Sequence, residues 1–374
     1  MQMTLRWLLA AALSSLIACT DQPEENKPAG ASQDTPASTH PDVLNDLSLH
    51  MWALGSHRLQ SNLDSAIELQ KSVEAFLSDT QQNTLEQVRA QWHQSHLHYQ
   101  QASIFLAIGE SNPGLFGHLQ NLNGNIDAWP IQPGFLDSFQ VYTHSGIVND
   151  ITLPMNAEAI RAQHGISDDS DVVLGYHGME YLLWGESGQR PISDLSAASL
   201  TEENKQEINH ADLPQNRRRT LLRLQAQLLL DDSQRMLQHW QFPKGQLKSQ
   251  YQSLPAASRF KLLQAAAAHV LQNQVLPLLE QEATKGENAV LEFSHNRFAG
   301  ENIQIAKSKI LGLSNLYSEP SLMPRLLEEG QFDHWSQGIA ELQRILNQNK
   351  ETQDLDFNPA ISQLLNVLEP DLAH

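Results

Sequence analysis

The segment Asp171 to Gly185, Asp-Val-Val-Leu-Gly-Tyr-His-Gly-Met-Glu-Tyr-Leu-Leu-Trp-Gly, is apolar on nearly every face when wound as a helix. A helix without a polar stripe is buried on all sides, so the rest of the chain must wrap it. Yet it carries His177 and Glu180, three apart and on one face. Val173 and Trp184 share that stripe, which turns the pair inward. A buried carboxylate without a partner either costs several kcal/mol or gives up its charge. A metal ion bound by both side chains compensates; so does a hydrogen-bonded polar cluster that fixes helix packing. The His-x-x-Glu spacing leaves both open. Gly175 and Gly178 flank the histidine. Each costs about 1 kcal/mol relative to Ala inside a helix, so the two predict close approach by another helix, a loop or a ligand.

The remaining apolar residues recur at spacings of three and four, the mark of helices with one buried face. Leu44, Leu47, Met51 and Leu54 begin a helix that continues through Leu59, Leu63 and Ile67. Thr84, with Gln87 three residues on, reads as a capping box for a helix carrying Leu85, Val88, Trp92, Tyr99 and Ala102. Later helices carry Leu221, Leu224 and Leu228 after a cap at Asn216, and Ala257 to Glu280 with a kink at Pro277. Ile303 to Tyr317, Phe332 to Leu346 and Ile361 to Leu368 follow. Alternating β-branched runs are missing. The fold class is therefore all-α, most simply two packed antiparallel helical bundles. Residues 43–190 form the first, 191–214 a polar connection, and 215–374 the second. Gly109 to Gly134 and Gln140 to Ser170 read as long irregular stretches, which are often functional.

The first residues read as an address. Arg6 precedes an apolar run from Trp7 to Ile17, too short to span a bilayer, that ends Leu16-Ile17-Ala18-Cys19. This resembles a bacterial lipobox, with residues 1–18 removed and Cys19 lipidated. Thr20 after the cysteine favours the outer membrane by resemblance to Gram-negative sorting patterns. Residues 19–42 are rich in Pro, Ser, Asp and Glu and read as a flexible tether. The expected setting is a lipid-anchored body on the periplasmic face of the outer membrane.

Composition narrows the chemistry. Across 374 residues the formal net charge is −19, which excludes nucleic acid as a natural partner. The single Cys rules out disulfide frameworks and thiolate metal sites, and leaves 16 His and the carboxylates as metal ligands. No Gly-x-Ser-x-Gly, P-loop or dinucleotide fingerprint is present.

Gly175-Tyr176-His177-Gly178-Met179-Glu180, followed by Leu183-Trp184-Gly185, resembles the Gly-x-His-x-x-Glu motif of imelysin-like proteins. Trp92 and Tyr99, Asp127-Ala128-Trp129-Pro130, Asn216-Arg217-Arg218-Arg219 and Glu292-Phe293-Ser294-His295-Asn296-Arg297-Phe298 are similar to further family segments, so the resemblance covers residues 43 to 320. It implies two helical bundles with the His-x-x-Glu site near where they meet, an association with bacterial iron uptake or regulation, and a history of classification as a metallopeptidase. The chain departs from the family after Tyr99, where Ala102-Ser103-Ile104-Phe105-Leu106 replaces a common Glu and Arg.

His177 and Glu180 are thus the candidate metal ligands. Asp127 and Glu292 are additional candidates on motif resemblance alone. Carboxylates with a histidine suit iron, and zinc is the other metal that fits. A hydrolytic zinc site needs three protein ligands and a base, and the His-Glu-x-x-His pattern that supplies two of the ligands and the base from one helix is missing. Iron binding, with an iron-transport protein as partner, therefore stands ahead of peptidase activity. An envelope interaction module with a purely structural His–Glu pair is the third reading. His93 and His96, one turn apart, could bind a metal together as a second site, but with His98 they are read as a polar face opposite the Trp92/Tyr99 stripe. Arg217 to Arg219 and Asp231-Asp232 are read as solvated.

Overall fold

Spacings of three and four place leucines and aromatics on one side of each helix, and burying those sides against each other builds the fold. A computed structural model of the chain describes residues 41–202, 205, 208–241, 246–283, 295–317, 330–348 and 356–368. Cys19, the signal and tether up to residue 40, and Glu292 lie outside the described residues. The long helices of the first half are α1 (Pro41–Ser78) and α2 (Gln82–Gln100). Single turns follow at α3 (Ser103–Leu106) and α4 (Ile108–Ser111), then α5 (Pro113–Ile126), α6 (Pro133–Leu136), α7 (Ala157–Gln163) and α8 (Gly175–Trp184). The second half holds α9 (Pro214–Gln241), α10 (Gln246–Ser253), α11 (Ala256–His269), α12 (Leu276–Ala283), α13 (Asn302–Ser314), α14 (Gln331–Leu346) and α15 (Asn358–Leu368). No strand occurs among the described residues, and the protein is all-α.

All described residues fall within one compact unit. A single buried apolar cluster runs from Leu44 to Leu368, so helices of both sequence halves share a core. Helix α1 packs between α2 and α9, and α11 and α13 reach back onto the first half. Trp52 of α1 and Trp240 of α9 stack with ring centroids 3.8 Å apart. Each indole N–H donates to the other's backbone carbonyl, at 3.3 Å and 3.0 Å.

Several boundaries differ from the sequence reading. The second helix starts at Gln82, and Thr84 sits inside its first turn, where its hydroxyl accepts from the Gln81 N–H at 3.1 Å. The stretch expected to be irregular from Gly109 contains α5. Asn112 caps it by accepting from the Leu115 N–H at 3.2 Å, and Phe116, Leu119, Leu122 and Ile126 form its buried stripe. Its glycines hid a helical period that the apolar residues carry. Asn216 lies within α9 and does not cap it; its amide instead holds Ala198 and His210. The distortion expected at Pro277 is a π-helical stretch, Val270–Val275, just upstream.

The three consecutive arginines at the start of α9, Arg217 to Arg219, are structural, not solvated. Arg217 is 3% exposed and donates to the carbonyls of Val148, Ile147 and Leu153. Arg218 grips Asp137 through two bonds of 2.7 Å and 3.0 Å. Arg219 donates to the carbonyls of Leu77 and Leu195. Asp232 is also buried and pairs with Arg161 at 2.9 Å. Arg217 thus satisfies backbone carbonyls of the long segment between α5 and α8, and Arg218 and Asp232 tie that segment to α9 through Asp137 and Arg161.

Candidate metal centre

The Gly-rich start of α8 sets the site. Residues 172–174 are not helical, and the helix begins at Gly175 with φ +72°. That conformation favours glycine, and a Cβ there would stand 2.3 Å from the Ile126 carbonyl oxygen. The end of α5 is therefore pressed against the start of α8, which brings the next residue, Asp127, beside His177. Gly178 has a matching role: its Cβ would lie 2.5 Å from the Val173 carbonyl oxygen, which accepts from Gln225 of α9 at 2.6 Å. On the other side, the Trp92 indole N–H of α2 donates to the Tyr176 carbonyl at 2.9 Å, fixing α2 against α8.

Four elements then deliver one buried cluster: His96 from α2, Asp127 after α5, His177 and Glu180 from α8, and His295 from the turn before α13. His96, His177 and Glu180 are fully buried, and Asp127 is 10% exposed. The Glu180 carboxylate is fully committed. Its Oε2 lies 2.9 Å from His177 Nδ1, and its Oε1 accepts from the N–H groups of Phe298 and Ala299 at 3.0 Å and 2.8 Å. Glu180 thereby fixes the His177 ring and turns Nε2 toward Asp127.

That Nε2 has no hydrogen-bond partner. Asp127 Oδ1 is 3.2 Å away, but off the axis a hydrogen bond needs. A second mismatch lies beside it. The Gln100 amide nitrogen donates to Asp127 Oδ2 at 2.8 Å and also faces His96 Nε2 at 2.7 Å. With that amide orientation His96 Nε2 carries no proton, so no hydrogen lies between it and Asp127 Oδ1 at 2.9 Å. Two acceptors this close call for a cation or a proton between them. One ligand atom each from His96, Asp127 and His177 lies within 4.8 Å of the others, a set that can converge on one ion bound at about 2.0–2.2 Å.

The electrostatics agree. Burial would raise the Asp127 carboxyl, but His96, His177 and His295 around it hold it well below the usual carboxylate range. Burial would lower His177, yet the Asp127 and Glu180 carboxylates push it up to about 9. Burial lowers His96 despite Asp127, and burial with the neighbouring His177 holds His295 well below the ordinary histidine value. Asp127 keeps its charge and His96 and His295 stay neutral, the forms in which these groups bind metal, while His177 must release its proton as an ion enters. A cavity of about 250 Å³ opens beside it, with Asp127, Trp129 and His295 on its wall.

Of the four sequence candidates, His177, Glu180 and Asp127 come together here, and Glu292 lies outside the described residues. His96 does not lie on a polar outer face. It is four residues from both Trp92 and Gln100, so it continues the buried stripe, and that spacing was its signal. His295 follows no helical period and left no signal beyond its motif.

The Peptidase_M75 (Imelysin) family profile matches residues 55–363. The chain belongs to the imelysin family. Its fold is similar to that of a Parabacteroides distasonis protein described as an iron-regulated protein A precursor. The two are 13% identical, with a TM-score of 0.61 over 89% of this chain and 95% of that one. It is also similar to an imelysin-like protein from Psychrobacter arcticum 273-4, at 15% identity and a TM-score of 0.59 over 89% and 93% of the two chains. No curated protein matches the chain. Among the described residues no helix of this imelysin-family protein is long and apolar enough to cross a membrane.

Proposed function

We propose that this protein binds an iron ion through His96, Asp127 and His177 and handles it as cargo in the bacterial envelope, anchored by lipid at Cys19. The observation that carries the reading is the convergence of His96 Nε2, Asp127 Oδ1 and His177 Nε2, the last without a hydrogen-bond partner. Two imidazoles and one carboxylate on one side of an ion, with open positions opposite, are a donor set that suits Fe(II). Glu180 holds the outer nitrogen of His177 and is a positioning residue in this reading, as carboxylates behind metal-bound histidines commonly are. The similarity to a protein described as iron-regulated supports iron over other metals, and an iron-transport protein is the natural partner.

The same donor set also serves hydrolytic zinc sites, and the cavity beside Asp127 gives a substrate somewhere to sit. A metallopeptidase is therefore the second reading. Among the described residues two nearby carboxylates are taken up, since both oxygens of Glu180 are engaged and Glu110 on the cavity wall is bound by His269, which leaves His295 on that wall as a candidate base.

Metal analysis and calorimetric titration of the chain from residue 42 onward, beside His177→Ala and Asp127→Asn, test this. One equivalent of Fe(II) bound by the wild type and lost in both folded variants upholds the metal site. Chelator-sensitive cleavage of peptides moves the assignment to the peptidase. A wild type that takes up no metal, with variants that only melt earlier, makes the cluster structural and the protein an interaction module.

A further inference from the structure

The cavity beside the cluster holds a charge that the three ligands do not use. Lys309 of α13 lines it and is only 5% exposed. Among the described residues its ammonium donates to Gln274 Oε1 at 2.8 Å, which leaves two of its three donors for the cavity. A buried ammonium is costly unless it is paired. Of the two carboxylates on the same wall, Glu110 is already paired with His269 and Asp127 is held by Gln100 and the histidine cluster. Burial pushes Lys309 down to about 8, against the attraction of Asp127 and Glu110, so the group is still charged at neutral pH.

The wall around Lys309 is built for a polar occupant. Asn273 and Gln274 reach it from the π-helical stretch Val270–Val275, and such distortions are frequent at functional sites. Ser103 also faces the cavity, with a buried hydroxyl that has no partner. Of the three metal-cluster residues only Asp127 lines the cavity, so the cavity is the side from which a further ligand reaches the ion. A divalent or trivalent ion against one carboxylate leaves surplus positive charge, and Lys309 adds to it. At about 250 Å³ the space falls below the roughly 300–1,000 Å³ of drug-sized pockets, which limits the occupant to a few carbons.

We propose that this cavity binds a small dicarboxylate, one carboxylate completing the coordination of the bound ion and the other held by Lys309. The inference rests on the metal reading above.

Anaerobic calorimetric titration of succinate into the Fe(II)-loaded and metal-free protein tests it, with uncharged succinamide as the control ligand. Succinate is expected to bind the Fe(II)-loaded wild type at least about tenfold more tightly than the metal-free protein. Lys309→Met is expected to keep Fe(II) uptake and weaken succinate by about tenfold or more, with Lys309→Arg recovering part of the loss. Ser103→Leu, which fills the cavity, should block succinate and spare Fe(II), and it decides the matter if Lys309→Met does not fold. An Fe(II)-loaded wild type indifferent to succinate overturns the dicarboxylate site alone. So does unchanged succinate binding in both folded variants, or succinamide binding as tightly as succinate. Failure of the wild type to take up Fe(II) in the absence of any carboxylate overturns the metal reading, and this inference with it.

Discussion

Glu180 clamps His177 to the turn before α13: one carboxylate oxygen lies 2.9 Å from His177 Nδ1 while the other collects the Phe298 and Ala299 N–H groups. The pair singled out by the sequence is thus a link between α8 and a segment more than a hundred residues away, and a means of aiming Nε2 at Asp127. Glu180→Gln keeps the shape but removes the charge that holds the ring. Metal affinity should fall by about 10–100-fold, the usual cost of losing such a partner, while His177→Ala should abolish binding. Titration calorimetry on both variants separates the two roles. Equal, complete loss in both makes Glu180 a ligand instead.

Gly175→Ala should be among the more damaging single-methyl additions in the protein. The residue has φ +72°, and its new Cβ would meet the Ile126 carbonyl oxygen at 2.3 Å. Backbone strain of this kind costs about 1–3 kcal/mol, and relief of the clash must push α5 and Asp127 away from His177. Lower thermal stability together with weaker metal binding is expected. Gly165→Ala shares a positive φ, +66°, but meets nothing within 4 Å, so it should lose stability and leave metal binding alone.

The helices were legible because burial on one side imposes a period that composition cannot imitate. Even α15 appears in the sequence through Ile361 and Leu368. Helix α5 was obscured by its glycines, none of which belongs to the buried stripe. The site was legible in part, since a carboxylate inside an all-apolar helix demands a partner, and His177 is one. Which further residues close the cluster depends on how α2, α5 and the turn at His295 pack, and that is a tertiary matter. Arg217 and Arg218 mislead for a related reason: charged residues at a helix start usually face water, and only the fold shows that carbonyls of the 147–153 segment and Asp137 need them.

Asp137 supplies a pH-dependent part of stability. It is fully buried between Arg218 and Arg190, whose Nη2 lies 3.0 Å from Oδ2. Burial alone would raise its carboxyl, but the two guanidinium groups hold it below the usual value. A carboxyl lowered on folding stabilises fully above its unfolded value of about 3.9 and loses that contribution as pH falls through the folded value. Asp137→Asn should therefore cost about 3–5 kcal/mol near neutral pH, since it leaves two buried cations facing a neutral amide. In denaturant melts the gap between wild type and variant should stay constant down to roughly pH 4 and narrow below it.

Removal of the ion should be visible in stability without any assay of transport. The cluster gathers side chains from α2, the end of α5 and α8, segments separated in sequence, so an ion held by His96, Asp127 and His177 binds the folded chain and not the unfolded one. At a free metal concentration one hundred times Kd the folded state gains about 2.7 kcal/mol. Adding Fe(II) should raise Tm, and a chelator should return it to the metal-free value. His96→Ala tests whether the residue absent from the original His-x-x-Glu pair belongs to the set. Its metal-free Tm will fall, because a buried imidazole is replaced by a void. The deciding quantity is the increment on adding Fe(II), which should shrink strongly in His96→Ala if His96 is a ligand. An increment equal to that of the wild type removes His96 from the centre and leaves Asp127 and His177 to hold the ion without it.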